Sequence, residues 1–184
     1  MKEKKALTIL LADDDEDDQM IFMDIVQQMD NDIILHTVND GVELLELLTG
    51  KTQALPDLLF LDLNMPNKNG KECLREIKSH QDLRHLPVII YSTSNAEKDI
   101  RDTYRYGASL YIQKPTDISG MKKTLTSVLS MDWQNGHLKI NDDNFVVKTL
   151  AAFRHCFLNS PIHQRLSWLT SSSVSAPILV GFDI

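Results

Sequence analysis

The sequence predicts an open, doubly wound α/β domain on three observations. Five short apolar runs are continuous rather than alternating, as expected of parallel strands covered on both faces. Segments with apolar residues at helical spacing lie between them, and turn-forming residues stand at the joints. Strand and helix alternating five times build a parallel sheet with helices on both sides.

The elements follow in order. The first strand is "LTILLA" (Leu7 to Ala12), and six acidic residues, Asp13 to Asp18, follow it directly. Glu16, Asp17 and Asp18 suit the opening of a helix, where each acid gains about 0.3–1 kcal/mol from the macrodipole. Ile21, Phe22, Ile25 and Met29 form that helix's apolar stripe. The second strand is "IILHTV" (Ile33 to Val38), turned by Asp40-Gly41, and Pro56-Asp57 introduces the third, "LLFL" (Leu58 to Leu61). Cys73, Leu74 and Ile77 mark the next helix. Pro87 opens the fourth strand, "VIIY" (Val88 to Tyr91), and the fifth is "LYIQ" (Leu110 to Gln113). Ile118, Met121, Leu125 and Val128 then repeat at helical spacing. No internal repeat is visible.

From about Met131 the rhythm breaks. "WQNGHLKINDDNFVV" suits a hairpin, and the extension reads either as a loosely ordered appendage or as a helix with Val146, Leu150, Phe153 and Phe157 on one face, which would pack on the preceding domain or pair two chains into a homodimer. Residues 132–184 hold four acids and four Lys or Arg, so the formal net charge of -7 belongs wholly to the first part. That charge argues against broad attraction to nucleic acid or anionic membrane. With 42% apolar and 24% charged residues, the 184-residue chain reads as globular. Cys73 and Cys156 lie far apart on apolar-patterned segments, which fits a reducing compartment better than a disulfide framework. "MKEKKALTILLADDD" imitates a secretory signal, but acids cut its apolar core short, so it reads as a strand. No apolar run approaches the roughly 18 residues of a membrane span. The expected location is cytoplasmic.

In an open parallel sheet, ligands sit beyond the C-terminal strand ends, where strand order reverses. There the first strand presents Asp13 and Asp14, the third Asp62, the fourth Ser92 and Thr93, and the fifth Lys114. Three carboxylates, a hydroxyl and an ammonium on one rim fit Mg²⁺ and a phosphoryl group. Mg²⁺ prefers carboxylates, waters and phosphate oxygens, a lysine supplies a compact positive charge, and a carboxylate can act as the nucleophile. Mg²⁺ would also relieve the mutual repulsion of the acids.

"LLADDDEDD", "LFLDLNMPNKNG", "VIIYSTS" and "GASLYIQKP" resemble the four signature regions of response-regulator receiver domains, the type found in the bacterial chemotaxis regulator. The resemblance covers residues 5–131 and leaves 132–184 as a C-terminal extension. It implies a five-stranded flavodoxin-like sheet of order 2-1-3-4-5 that accepts a phosphoryl group from a histidine kinase or a phosphotransfer protein. Carried onto this chain, it implies Asp62 as phosphoacceptor and Mg²⁺ on Asp13, Asp14, Asp62 and the backbone carbonyl of Asn64. Lys114 would contact the phosphoryl group. Ser92 would be the switch hydroxyl, with Thr93 the alternative one residue on, and Tyr111 the aromatic side chain that turns inward when the switch is thrown. The resemblance also implies a cis peptide between Lys114 and Pro115, and a downstream protein that reads the changed surface.

Rival readings are weaker. A calcium loop starting at Asp13 needs glycine at its sixth position and glutamate at its twelfth, where this chain has Asp18 and Asp24. A phosphohydrolase of the haloacid-dehalogenase type would carry an acid two residues after its nucleophile, where this chain has Asn64. A receiver that no longer accepts phosphate would not be expected to keep all of Asp13, Asp14, Asp62, Ser92 and Lys114. The six histidines show no ligand spacing. A tail of balanced charge lacks the basic recognition helix of a DNA-binding effector.

Overall fold

Each continuous apolar run forms a strand covered on both faces. The computed structural model describes residues 6–29, 32–50, 54–131, 133 and 145–147. Its elements run β1 (Leu7–Ala12), α1 (Glu16–Gln27), β2 (Ile33–Val38), α2 (Gly41–Thr49), β3 (Leu58–Leu61), α3 (Gly70–Ser79), β4 (Val88–Ser92), α4 (Glu97–Arg105), β5 (Leu110–Gln113), α5 (Ile118–Leu129) and β6 (Val146–Val147). All pairings are parallel, in the order β2-β1-β3-β4-β5-β6. The five expected strands therefore take the expected order, and a sixth joins the edge of β5.

Alternate residues of each strand feed two cores. Leu10, Leu59, Leu61, Val88, Ile90 and Tyr111 face Leu44 and Leu48 of α2 and Cys73, Leu74 and Ile77 of α3. On the other face, Ile9, Leu11, Phe60, Ile89, Tyr91 and Ile112 meet Phe22 and Ile25 of α1 and Met121, Leu125 and Val128 of α5. Phe22, Phe60 and Tyr91 pack edge to face, with ring centroids 4.9–6.0 Å apart. The chain leaves β1 toward β2 on one side and returns to β3 on the other, so the switch point of the sheet lies between β1 and β3.

One expectation for the tail changes. Val146 belongs to a strand and not to a helix face: Tyr111 and Ile112 pair with Val146 and Val147. Extended backbone here fills hydrogen bonds that the β5 edge would otherwise leave open, and the β-branched valines suit it. Phe145, just before β6, is buried against the α2–α3–α4 side, while Val147 and Trp133 join the core under α1 and α5. The remaining members of the expected helix stripe, Leu150, Phe153 and Phe157, lie outside the described residues. Among the described residues no helix is long and apolar enough to cross a membrane.

Candidate functional site: an acidic cleft at the switch point

The ladder of the sheet continues one residue past several strand ends, and this sets the rim. Asp13 N–H donates to the Val38 carbonyl at 3.1 Å, Asp62 N–H to Ala12 at 2.9 Å, and Lys114 N–H to Ser92 at 2.8 Å. The side chains are therefore carried on regular backbone, the more precise kind of support for a site.

Asp13, Asp14 and Asp62 each offer a carboxylate oxygen, and these three oxygens lie within 4.8 Å of one another. Asp13 and Asp62 are buried, while Asp14 is exposed. Asp62 Oδ2 accepts a hydrogen bond from the Asn64 backbone N–H at 3.2 Å. Its other oxygen, Oδ1, is buried with no hydrogen-bond partner among the described residues. Asp13 Oδ1 accepts from the Asp15 N–H at 3.2 Å, and its Oδ2 from Lys114 Nζ at 2.7 Å. Buried polar atoms are nearly always satisfied. A buried carboxylate with one oxygen left partnerless, beside two more carboxylates, is a place for a cation, and three hard oxygen donors, one of them on an exposed residue, fit Mg²⁺.

The charges are strongly perturbed. Burial pushes the Asp13 carboxyl up to about 6, against the pull of its hydrogen bond to Lys114, and nearby Asp62 adds to the rise. Burial opposes the charge on Lys114, but its hydrogen bonds to Asp13 and Asp18 more than offset this and hold its pKa above the ordinary value. Lys114 Nζ also lies 5.5 Å from the centroid of the Tyr91 ring.

Ser92 is the last residue of β4 and fully buried; its Oγ accepts from the Ser94 N–H at 3.4 Å. Thr93 is exposed, which favours Ser92 over its neighbour as the inward hydroxyl. Tyr111, the expected switch aromatic, lies inside. Its ring is fully buried and its hydroxyl donates to the Ser94 carbonyl at 2.9 Å. Burial pushes that hydroxyl up to about 12. The Lys114–Pro115 peptide corrects an expectation, since the described residues contain no cis bond. A prolyl amide favours trans by about 0.5–1 kcal/mol, and Lys114 reaches Asp13 and Asp18 from that isomer.

Sequence reasoning missed two participants. Asp18 reads as a helix-opening acid, and it does stand in the first turn of α1, capped by Asp15. Its carboxylate also pairs with Lys114 at 2.6 Å. Gln19 is buried, and its side-chain amide donates to the Asp13 carbonyl and, at 2.7 Å, to Asn39, tying the end of β1 to the loop after β2. A glutamine inside an otherwise apolar helix face was the available signal.

Strand order and an acidic cleft at the switch point together define a doubly wound α/β domain equipped for a divalent cation beside an anion. Comparison with known proteins is more specific: the model of the response regulator receiver domain matches residues 9–126. The chain belongs to that family. It is 29% identical over 126 residues to the response regulator Rcp1 of Synechocystis sp., covering 66% of this chain and 86% of Rcp1. The probable methanogenesis regulatory protein FilR2 of Methanothrix harundinacea is 29% identical over 65% of this chain and 79% of its own. Among solved structures, the phosphorylated cyanobacterial phytochrome response regulator RcpA is similar, with a TM-score of 0.64 and 31% identity over 67% of this chain and 91% of RcpA. The Mn²⁺-bound form of Rcp1 has a TM-score of 0.66 and 28% identity over 73% of this chain and 99% of Rcp1.

Proposed function

We propose that this protein is a phosphoacceptor switch of a two-component relay, with Asp62 as the residue phosphorylated. The observation that carries the reading is the buried Asp62 carboxylate, whose Oδ1 has no partner among the described residues, set beside Asp13 and Asp14 in a cleft that Lys114 lines from the fifth strand. An Asp62 oxygen attacks the phosphorus of a phosphohistidine on a kinase or phosphotransfer protein. The O–P bond forms as the N–P bond breaks, and the imidazole leaves with the electron pair, taking a proton from solvent. Asp13, Asp14, Asp62 and the Asn64 carbonyl would hold Mg²⁺, which when bound supplies neutralising charge to the phosphoryl oxygens. Lys114 binds a phosphoryl oxygen, and Ser92 donates its hydroxyl to another. Phosphorylated RcpA and Mn²⁺-bound Rcp1, both similar proteins, support this chemistry.

The output is a protein contact in the cytoplasm. Tyr111 already lies inward, so drawing Ser92 toward the phosphoryl group acts first on Ser94, which bonds to both Ser92 and Tyr111. The change reaches Phe145 and β6 through Tyr111. Incubation with Mg²⁺ and acetyl phosphate is expected to yield one acid-stable, base-labile adduct, absent in Asp62→Asn. Turnover of many phosphate esters would favour a hydrolase instead, and no Mg²⁺-dependent adduct would favour an interaction module.

A further inference from the structure

The ammonium group of Lys114 is already engaged, and not by the phosphoacceptor. Its Nζ donates to Asp13 Oδ2 at 2.7 Å and to Asp18 Oδ2 at 2.6 Å. Among the described residues it makes no ion pair with Asp62. An ammonium has three protons to give, and two of the three are committed to acids of β1 and α1.

The two acids are not equivalent partners. The Asp13 side chain is 1% exposed, whereas that of Asp18 is 27% exposed. Stripping Lys114 from Asp13 would strand a buried carboxylate at considerable cost. Asp18 can give up the lysine, because water replaces what it loses. Helix opening does not by itself explain its position: Glu16 and Asp17 occupy the same first turn and point to solvent, while Asp18 turns inward over the lysine.

We infer that Asp18 is a tether that holds Lys114 toward β1 and α1 in the unphosphorylated protein, and that a phosphoryl group on Asp62 takes the lysine from it. Asp18 is then a positioning residue acting through Lys114, and the inference rests on the proposed role of Asp62. The exchange has two consequences. The tether sets how tightly the phosphorylated state holds its lysine, and its release frees the first turn of α1. Phosphorylation would thereby reach a helix on the face opposite Tyr111.

The test is a double-mutant cycle on the affinity for beryllofluoride, a phosphoryl mimic, at saturating Mg²⁺. The proteins are wild type, Asp18→Asn, Lys114→Met and the double variant, with Asp18→Ser as the second replacement should Asn fail to fold. Asp18→Asn is expected to bind beryllofluoride threefold to tenfold tighter, roughly 0.6–1.4 kcal/mol. In the Lys114→Met background the same substitution is expected to change affinity by less than about twofold. Unchanged or weaker binding by Asp18→Asn overturns the tether. Equal tightening in both backgrounds also overturns it, because simple repulsion between Asp18 and the anion would then be the cause. Failure of the underlying reading looks different: wild type would show no Mg²⁺-dependent beryllofluoride binding, or Asp62→Asn would bind as well as wild type.

Discussion

The backbone N–H of Tyr111 donates to the carbonyl oxygen of Phe145 at 2.8 Å, and the two rings lie 6.3 Å apart. Phe145 also packs edge to face on Tyr104 of α4 at 4.9 Å and is 2% exposed. A residue beyond the family match thus closes the edge of the sheet over the proposed switch aromatic. Phe145→Ala is expected to destabilise the protein by about 3 kcal/mol, as for other buried aromatic truncations. It should also speed hydrogen exchange at the Tyr111 amide, whose acceptor it carries. Urea denaturation and amide exchange read the two effects, and unchanged protection at Tyr111 would show that Phe145 does not cover β5.

The five-strand core was legible because strands buried on both faces announce themselves as continuous apolar runs. The meeting of Asp13, Asp14, Asp62 and Lys114 was legible because strand ends in such a sheet converge. β6 was not, since two valines carry too little pattern to separate a strand from a helix face. α4 hides for another reason: it buries only Thr103, so "EKDIRDTYR" shows no apolar stripe. The pairing of Asp18 with Lys114 joins residues 96 positions apart, and the macrodipole already accounted for an acid at that point.

Gly70 controls the exit from β3. It is the first residue of α3, and its N–H donates to the Leu63 carbonyl at 3.1 Å. A Cβ there would collide with the carbonyl oxygen of Asp62 and stand 2.9 Å from the Leu63 Cα, both rigid backbone. Gly70→Ala must therefore push the helix start away from the residue beside it. A loss of about 1–3 kcal/mol is expected from the overpacking, together with weaker Mg²⁺ binding because Asp62 moves. Denaturation and metal titration on the same sample check both, and wild-type behaviour in each would contradict the close approach.

Lys78 provides a pH signature far from the cleft. Its Nζ donates to the Leu86 carbonyl at 2.6 Å, and burial pulls its pKa down to about 8 from 10.5. Between those values the unfolded chain keeps a proton that the folded protein releases, so stability rises with pH across that window. Below pH 8 both states are charged, and the cost of burying the ammonium is carried in full. Lys78→Met is expected to remove the dependence. Unfolding free energies from pH 7.5 to 9.5 should climb for wild type relative to the variant; parallel curves would show that the ammonium is well solvated.

The cleft itself should trade stability for binding. Three carboxylates with oxygens within 4.8 Å repel one another, and Asp62 Oδ1 is buried without a donor among the described residues. Asp62→Asn removes one charge and supplies an amide that can donate to Asp13 or Asp14. The metal-free variant is therefore expected to be more stable than wild type, by about 1 kcal/mol or more, the usual scale for an unsatisfied buried group. Wild type recovers the deficit when metal binds: Mg²⁺ at ten times its Kd contributes about 1.4 kcal/mol, and chelation removes it. The variant should show little of that gain. Thermal unfolding of both proteins with and without Mg²⁺ checks the pattern. A metal-free Asp62→Asn less stable than wild type would mean that the carboxylates are already compensated by groups other than a cation.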